Sequence, residues 1–175
     1  LHIPYCFSKC RYCDFYSHPG ERGVPEAYVD ALLRELSRFA PEAPLQPDTL
    51  YFGGGTPSLL RPEQAKRLID AARPMPGAEI TLEANPETVT EESLAGFREA
   101  GVNRISFGVQ SARDTQLRTL GRPHTAKQAR AAFAAARRAG FTNISGDIML
   151  ALPHYTEAEF DETLELIEGG GATHI

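Results

Sequence analysis

An α/β fold built as a partial parallel barrel of strand–helix units is what this sequence predicts, and three observations carry that expectation. Short apolar strands alternate with amphipathic helices along the chain. The strands are near-continuous apolar runs, as in a parallel sheet with helices packed outside it. Polar residues recur at the carboxyl ends of nearly every strand, where a barrel carries its active face. Two units even share wording: "EAGVNRIS" (99–106) and "RAGFTNIS" (138–145) both read Ala-Gly-x-x-x-Ile-Ser. A doubly wound sheet would need a glycine fingerprint opening its first helix, whereas "GGGTP" (53–57) arrives only after the second strand.

Taken in order, Leu1 to Pro4 reads as the end of a strand. Pro25 to Phe39 reads as a helix with proline in its first turn and Tyr28, Leu32, Leu36 and Phe39 on one face. The proline-rich "PEAPLQP" (41–47) is a connection within one domain. "DTLYFGGG" (48–55) is a strand running into a glycine loop. Pro62 to Ala72 follows as a helix that turns Ala65, Leu68, Ile69 and Ala72 inward. "AEITLEANP" (78–86) is a strand, and a helix from about Glu91 ends at Gly101. "NRISFGVQS" (103–111) is the next strand. Thr125 with Gln128, and Thr156 with Glu159, are capping-box pairs that open two further helices, the first closing at Gly140. "TNISGDIML" (142–150) is the strand between them, and "THI" (173–175) begins one more. The count is five strand–helix units and the start of a sixth strand.

The chain of 175 residues is 42% hydrophobic, which is enough to bury a sizeable core, and has no apolar run long enough to cross a bilayer. No charged-then-apolar leader points to secretion. The chain opens at Leu1 without methionine and stops inside an apolar-looking segment. The expectation is therefore a single domain, 1–175, clipped at its N-terminus and lacking the C-terminal part of a longer protein. A net charge of −5 without a basic block argues against a nucleic-acid surface. The three cysteines cannot all pair, which fits a reducing, cytoplasmic setting.

Those cysteines, Cys6, Cys10 and Cys13, all lie in "HIPYCFSKCRYCDFYS" (2–17). A structural zinc site wants four ligands, and His2 and His18 flank the loop as possible completions. A redox dithiol would use two of the cysteines and leave Cys6 unexplained. Closely spaced thiolates are also the usual ligands of iron–sulfur clusters. Three on a [4Fe–4S] cube would leave one iron open to a substrate or cofactor.

At this point the sequence resembles a known family. "CFSKCRYC", Cys-x3-Cys-x2-Cys with Tyr12 before the third cysteine, is similar to the signature of the radical S-adenosylmethionine (SAM) enzymes. "HIPYC", "YFGGGTPS", "EANP", "GVQS", "LGRPH" and the "D-x-M-x-x-LP" stretch of "GDIMLALP" follow the order and spacing of its oxygen-independent coproporphyrinogen oxidase branch. The dehydrogenases of that branch carry a further cysteine two places after the third. Here the sequence reads Cys13-Asp14-Phe15, which looks like the HemW heme-chaperone type. One departure is "ALPHYT" (151–156), standing where the family has "GLPGQT", which restricts backbone freedom around Leu152.

The resemblance implies a (β/α)6 radical SAM barrel truncated at the sixth strand, with Cys6, Cys10 and Cys13 holding a [4Fe–4S] cluster. It implies that Tyr12, Gly54, Gly55, Thr56, Glu83, Gln110, Arg122 and Asp147 bind SAM. Glycine at 54 and 55 lets backbone approach a ligand, although a tight strand-to-helix turn would also want one. Glu83 would accept hydrogen bonds from SAM, or else serve as an ion pair or cap. Gln110 and Asp147 would accept from the ribose hydroxyls. Asp147 stands between Gly146 and Ile148 in an otherwise apolar strand, where a buried aspartate without a partner is costly, so it must have one. The planar fork of Arg122 suits the SAM carboxylate, or it is a solvated loop arginine. His124 reads as structural, and Met149 as core or adenine packing.

The chemistry implied is one-electron cleavage of SAM to methionine and a 5′-deoxyadenosyl radical, with no protein side chain assigned as catalytic. The partners implied are heme as cargo, a heme-accepting protein and an electron donor of the flavodoxin or ferredoxin type. The alternatives are an oxygen-independent coproporphyrinogen III dehydrogenase of porphyrin biosynthesis and, outside heme biology, a small zinc module.

Overall fold

The computed structural model of the chain describes residues 1–20, 22–39, 46–152 and 154–175, with Phe39 described by its backbone alone. The inward Phe39 side chain and most of the proline-rich connection therefore lie outside the described residues.

In chain order the elements are β1 (His2–Ile3), β2 (Tyr5–Cys6), β3 (His18–Pro19), α1 (Glu26–Phe39), β4 (Thr49–Gly54), α2 (Pro62–Ala72), β5 (Glu79–Ala84), α3 (Glu91–Ala100), β6 (Arg104–Gln110), α4 (Asp114–Leu120), α5 (Ala126–Arg138), β7 (Asn143–Ile148) and α6 (Glu157–Gly169). The main sheet runs β1-β4-β5-β6-β7 and every pairing in it is parallel. A strand order that never reverses has no topological switch point, so this is a barrel segment and not a doubly wound sheet. A sixth strand begins on the free edge of β7, where Gly146 N donates to His174 O at 3.2 Å and Thr173 N to Ile144 O at 2.8 Å.

The hydrophobic core lies wholly on one side of the sheet. Leu50 and Phe52, Ile80 and Leu82, Ile105 and Phe107, and Ile144 point toward the helices. There they meet Leu68, Ile69, Leu94, Phe97, Phe133, Ala136, Leu166 and Ile167. Phe107 and Phe133 pack edge to face with ring centroids 5.1 Å apart. The alternate residues, Tyr51, Thr81, Glu83, Arg104, Ser106, Ser145 and Asp147, are polar and bond to one another on the concave side. Period-two alternation thus sorts one apolar and one polar face from the same strands.

Helix starts follow the sequence signals. Gln128 N donates to Thr125 Oγ1 at 3.2 Å while Thr125 N donates to Gln128 Oε1 at 2.9 Å, and Thr156 with Glu159 repeats the arrangement. The structure adds two things that the sequence reading lacked. One is the short parallel pair β2–β3, which brackets the cysteine loop. The other is α4, a seven-residue helix that buries only Leu117 and Leu120, too few apolar positions to set a period.

"ALPHYT" carries a backbone consequence. Ala151 has φ +55° and His154 has φ +61°, a left-handed conformation at the two positions where the family motif has glycine. That conformation costs a side-chain-bearing residue about 1–2 kcal/mol. Ala151→Gly is therefore expected to stabilise the chain by about 0.5–1 kcal/mol, after allowing for the greater freedom of glycine when unfolded. Urea denaturation measures this directly, and an unchanged or lower midpoint would show that the turn carries no strain.

Candidate functional site

A cavity of about 270 Å³ opens at the carboxyl ends of the strands, and all eleven site residues expected from the sequence line it. Cys6 ends β2, and Cys10, Tyr12 and Cys13 come from the loop between β2 and β3. Gly54, Gly55 and Thr56 come from the end of β4, and Glu83, Gln110 and Asp147 from β5, β6 and β7. Arg122 follows α4.

The cysteine loop is stitched to the barrel largely through backbone. Gly55 N donates to Ile3 O at 2.9 Å, Thr56 N to Tyr5 O at 2.8 Å, and His18 N to Pro4 O at 2.7 Å. Cys13 N donates to Cys10 O at 3.1 Å, closing a turn, and Arg11 N reaches Leu120 O at 2.9 Å, so α4 anchors the far side of the loop. The Thr56 hydroxyl lies 3.4 Å from Cys6 Sγ. All three thiols are free, Cys6 buried and the others half-buried. Among the described residues, no three His, Cys, Asp or Glu side chains converge where one metal ion would sit. The flanking histidines turn elsewhere: His2 packs on Gly54 with Nε2 3.1 Å from Tyr16 O, and His18 stacks on Tyr16 and Tyr5. Neither lines the cavity.

Gly55 belongs to this seam. A β-carbon there would lie 2.7 Å from Tyr5 O and 2.9 Å from both Ile3 O and Tyr5 N, all of them backbone atoms. Gly108 is similarly confined, because a β-carbon would fall 2.8 Å from Arg122 Nη2. The glycines let the ligand-side backbone and one guanidinium sit closer than any side chain would allow.

Arg122 is more engaged than a ligand-binding fork would be. Nη2 donates to Gly108 O at 2.6 Å and Asn85 Oδ1 at 2.7 Å, while Nη1 lies 3.5 Å from both Cys10 Sγ and Tyr12 Oη. Its Nε is buried with no protein partner, so the fork keeps no accessible donor for a ligand. A solvated loop arginine it is not.

Glu83 accepts from Tyr51 Oη at 2.7 Å and from Gly54 N at 3.1 Å. Desolvation first, and that hydrogen bond second, push the Tyr51 phenol far above its ordinary range, so it stays a donor. Gln110 has φ +67° and sits at a register shift in β6, a twist that turns its side chain into the cavity. Asp147 is not buried as the flanking Gly146 and Ile148 had implied. Alternation puts its side chain on the concave face, open to the cavity, where it accepts from Ser106 Oγ at 3.0 Å. Enclosure by the strands raises its pKa, opposed by the Ser106 hydrogen bond and the charges of Arg104 and Arg122.

His124 is buried with Nε2 3.1 Å from Val109 O, a packing role, and Met149 is half-buried, its backbone N–H bonded to Gln110 O. The sequence reading passed over Tyr51, Asn85 and Ser106. The available signal was parity, since Asn85 stands two residues beyond Glu83 and Ser106 two before Gly108, on the same face.

A barrel segment with three thiols and a polar cradle at the carboxyl ends of its strands defines a cluster-bearing, SAM-type fold, and a family model agrees. The chain belongs to the radical SAM superfamily, whose model matches residues 1–167. Within that superfamily it is similar to the heme chaperone HemW of Bacillus subtilis, with 38% identity over 99% of this chain and 48% of the relative. It is also 42% identical to the heme chaperone HemW of Escherichia coli, over 87% of this chain and 42% of the relative. The chain spans about half the length of these curated relatives. Among solved structures it resembles the coproporphyrinogen III oxidase HemN of Escherichia coli, a radical SAM enzyme. That match has a TM-score of 0.83 at 29% identity, covering 98% of this chain and 41% of that one.

The seam at Gly55 generates a test. Gly55→Ala is expected to cost about 1–3 kcal/mol, since rigid backbone cannot yield to the new methyl. It should also release the loop, making the buried Cys6 thiol react with a disulfide reagent much faster than in the unsubstituted chain. Unchanged stability and reactivity would mean that the seam does not hold the loop.

Proposed function

We propose that this chain is the cluster- and SAM-binding core of a heme chaperone of the HemW type. The observation that carries the reading is the convergence of three thiols and eight SAM-type positions on one cavity, with Asp14-Phe15 where the dehydrogenases carry a further cysteine. The donor set fits a [4Fe–4S] cluster with SAM on its open iron. A cube takes each thiolate on a different iron, so the thiols need not converge on one point. Bound there, the cluster and SAM together supply one-electron cleavage of a carbon–sulfur bond.

The protein's share is holding and orienting. Cys6, Cys10 and Cys13 would anchor the cluster, with Thr56 and Arg122 donating toward the sulfurs of Cys6 and Cys10. Gly54 and Gly55 let the loop's His2 ring and its Tyr5 and Ile3 backbone close onto the strand end that borders the ligand, Glu83 accepts from its amino group, and Gln110 and Asp147 from its ribose hydroxyls. Tyr12 closes over the ligand from the loop side, and Arg122 brings its positive charge to the cavity wall beside the ligand carboxylate. Heme is the cargo, passed to an acceptor protein. An electron donor of the flavodoxin or ferredoxin type works with it in a cytoplasmic setting. No helix among the described residues is long and apolar enough to cross a membrane.

Cys10→Ser is expected to abolish the cluster, because one of three anchors is lost. Full iron and sulfide content with the brown [4Fe–4S] absorption in that variant would overturn the cluster assignment.

The second reading, coproporphyrinogen III dehydrogenase, is favoured by the likeness to HemN. One experiment separates the two: an anaerobic assay of the full-length protein with reductant, SAM and coproporphyrinogen III, beside a heme titration. Heme binding without turnover is the expected result. Conversion to protoporphyrinogen IX would replace the chaperone reading with the enzyme.

A further inference from the structure

We infer that Arg104 is a positioning residue that acts on Asp147 through two buried serines and fixes which carboxylate oxygen faces the cavity. Arg104 Nη2 donates to Ser145 Oγ at 3.1 Å, Ser145 Oγ to Ser106 Oγ at 2.8 Å, and Ser106 Oγ to Asp147 Oδ1 at 3.0 Å. The direction of this chain is set at its ends. A guanidinium can only donate and an ionised carboxylate can only accept. Each serine must therefore receive from the arginine side and give toward the aspartate, so both hydroxyl rotors are locked.

The repeat in the sequence builds the relay. Ser106 and Ser145 are the equivalent serines of the two Ala-Gly-x-x-x-Ile-Ser units, and β6–β7 pairing sets them in register on the concave face. Both are almost fully buried, at 5% and 4% exposure, so water competes little for their hydroxyls. Asp147 Oδ1 is thereby occupied, and Oδ2 is left for whatever fills the cavity. Chains of this kind polarise cooperatively and strengthen when charged at both ends.

A bland alternative is that Arg104 merely props the sheet. Its other hydrogen bond, to Thr81 Oγ1 at 3.4 Å, is long, and its charge already opposes the rise of the Asp147 pKa. The other charged or titratable groups around Asp147, among the described residues, are Arg122 beyond β6, Tyr51 on β4, Glu83 on β5 and His174, which bridges to Ser145 from the sixth strand. None of them reaches it through a hydrogen bond. The serine chain is the direct link.

The consequence is a coupling that a prop would not show. The relay favours ionised Asp147, so cutting it should raise the Asp147 pKa further. Asp147 should then protonate earlier as pH falls, and the acid limb of ligand binding should move to higher pH. This last step rests on the proposed role of Asp147 toward SAM, so the test has two independent readouts.

The first readout is the titration of the Asp147 side-chain carboxyl by carbon-13 NMR, with no ligand present. Ser145→Ala keeps the charge of Arg104 and removes only the link. It should raise the midpoint by about half a pH unit, equivalent to about a threefold change in affinity at a fixed pH on that limb. Ser145→Thr, which keeps the hydroxyl, should restore it. If Ser145→Ala does not fold, Ser145→Cys keeps the shape with a weak donor and should raise the midpoint in the same direction. An unmoved midpoint in the folded Ser145 variants, with Arg104→Met alone raising it, would overturn the relay in favour of simple charge. The second readout is SAM affinity against pH in the cluster-loaded protein. A shifted Asp147 titration with an unshifted SAM profile would leave the relay standing and remove Asp147 from the SAM site.

Discussion

One guanidinium joins the two parts on which this site depends. Arg122 bonds to the β6 backbone at Gly108 and to Asn85 beyond β5, and with its other nitrogen it faces Cys10 and Tyr12. A cation so enclosed is tolerable only where most of its donors find acceptors, and here both terminal nitrogens find them, from both sides of the junction. The cysteine loop has little regular structure, only the two-residue strands β2 and β3. Its position therefore comes from contacts to other elements. Backbone from Gly55 and Thr56 holds one flank, and α4 with Arg122 holds the other. Had this arginine been free to take a ligand carboxylate with its whole fork, the loop would have lost its tie to β6.

The sheet explains why a polar site can sit so close to a well-packed core. Successive side chains point to opposite faces, so Ile105 and Phe107 join the helices while Arg104 and Ser106 look the other way. The strand residues of the concave face are polar, among the described residues. Their groups are satisfied mostly by one another, through Tyr51 to Glu83 on one side and the serines on the other. Carboxylates at the carboxyl ends of the strands are thereby held in fixed rotamers without a salt bridge of their own.

Much of this was legible in the sequence, and the reasons are local. Alternating strand and helix patterns, two capping boxes and the glycine run fixed the element order. The motif fragments placed Glu83 and Asp147 at the carboxyl ends of their strands. They also brought the thiols and the SAM-type positions to one cavity. What stayed hidden depended on partners far apart in the chain. Nothing around Arg122 says that its fork is taken by Asn85 and Gly108, and α4 is too short for periodicity to find. Asp147 looked buried because its neighbours are apolar, but in a strand the neighbours face the opposite way. The repeat of Ala-Gly-x-x-x-Ile-Ser was visible, yet only the β6–β7 register shows that it sets two serines side by side.

The one-sided core also bears on how the chain is made. The buried core lies between sheet and helices, so collapse of that layer does not wait for anything to fill the concave side. Each strand–helix unit emerging from the ribosome can pack against the one before it, in chain order, because the strand order is the chain order. Native neighbours are then adjacent in synthesis as well as in space, which keeps loop closure short at every step. The polar trough stays hydrated throughout, so a large cofactor can enter after the scaffold has already formed.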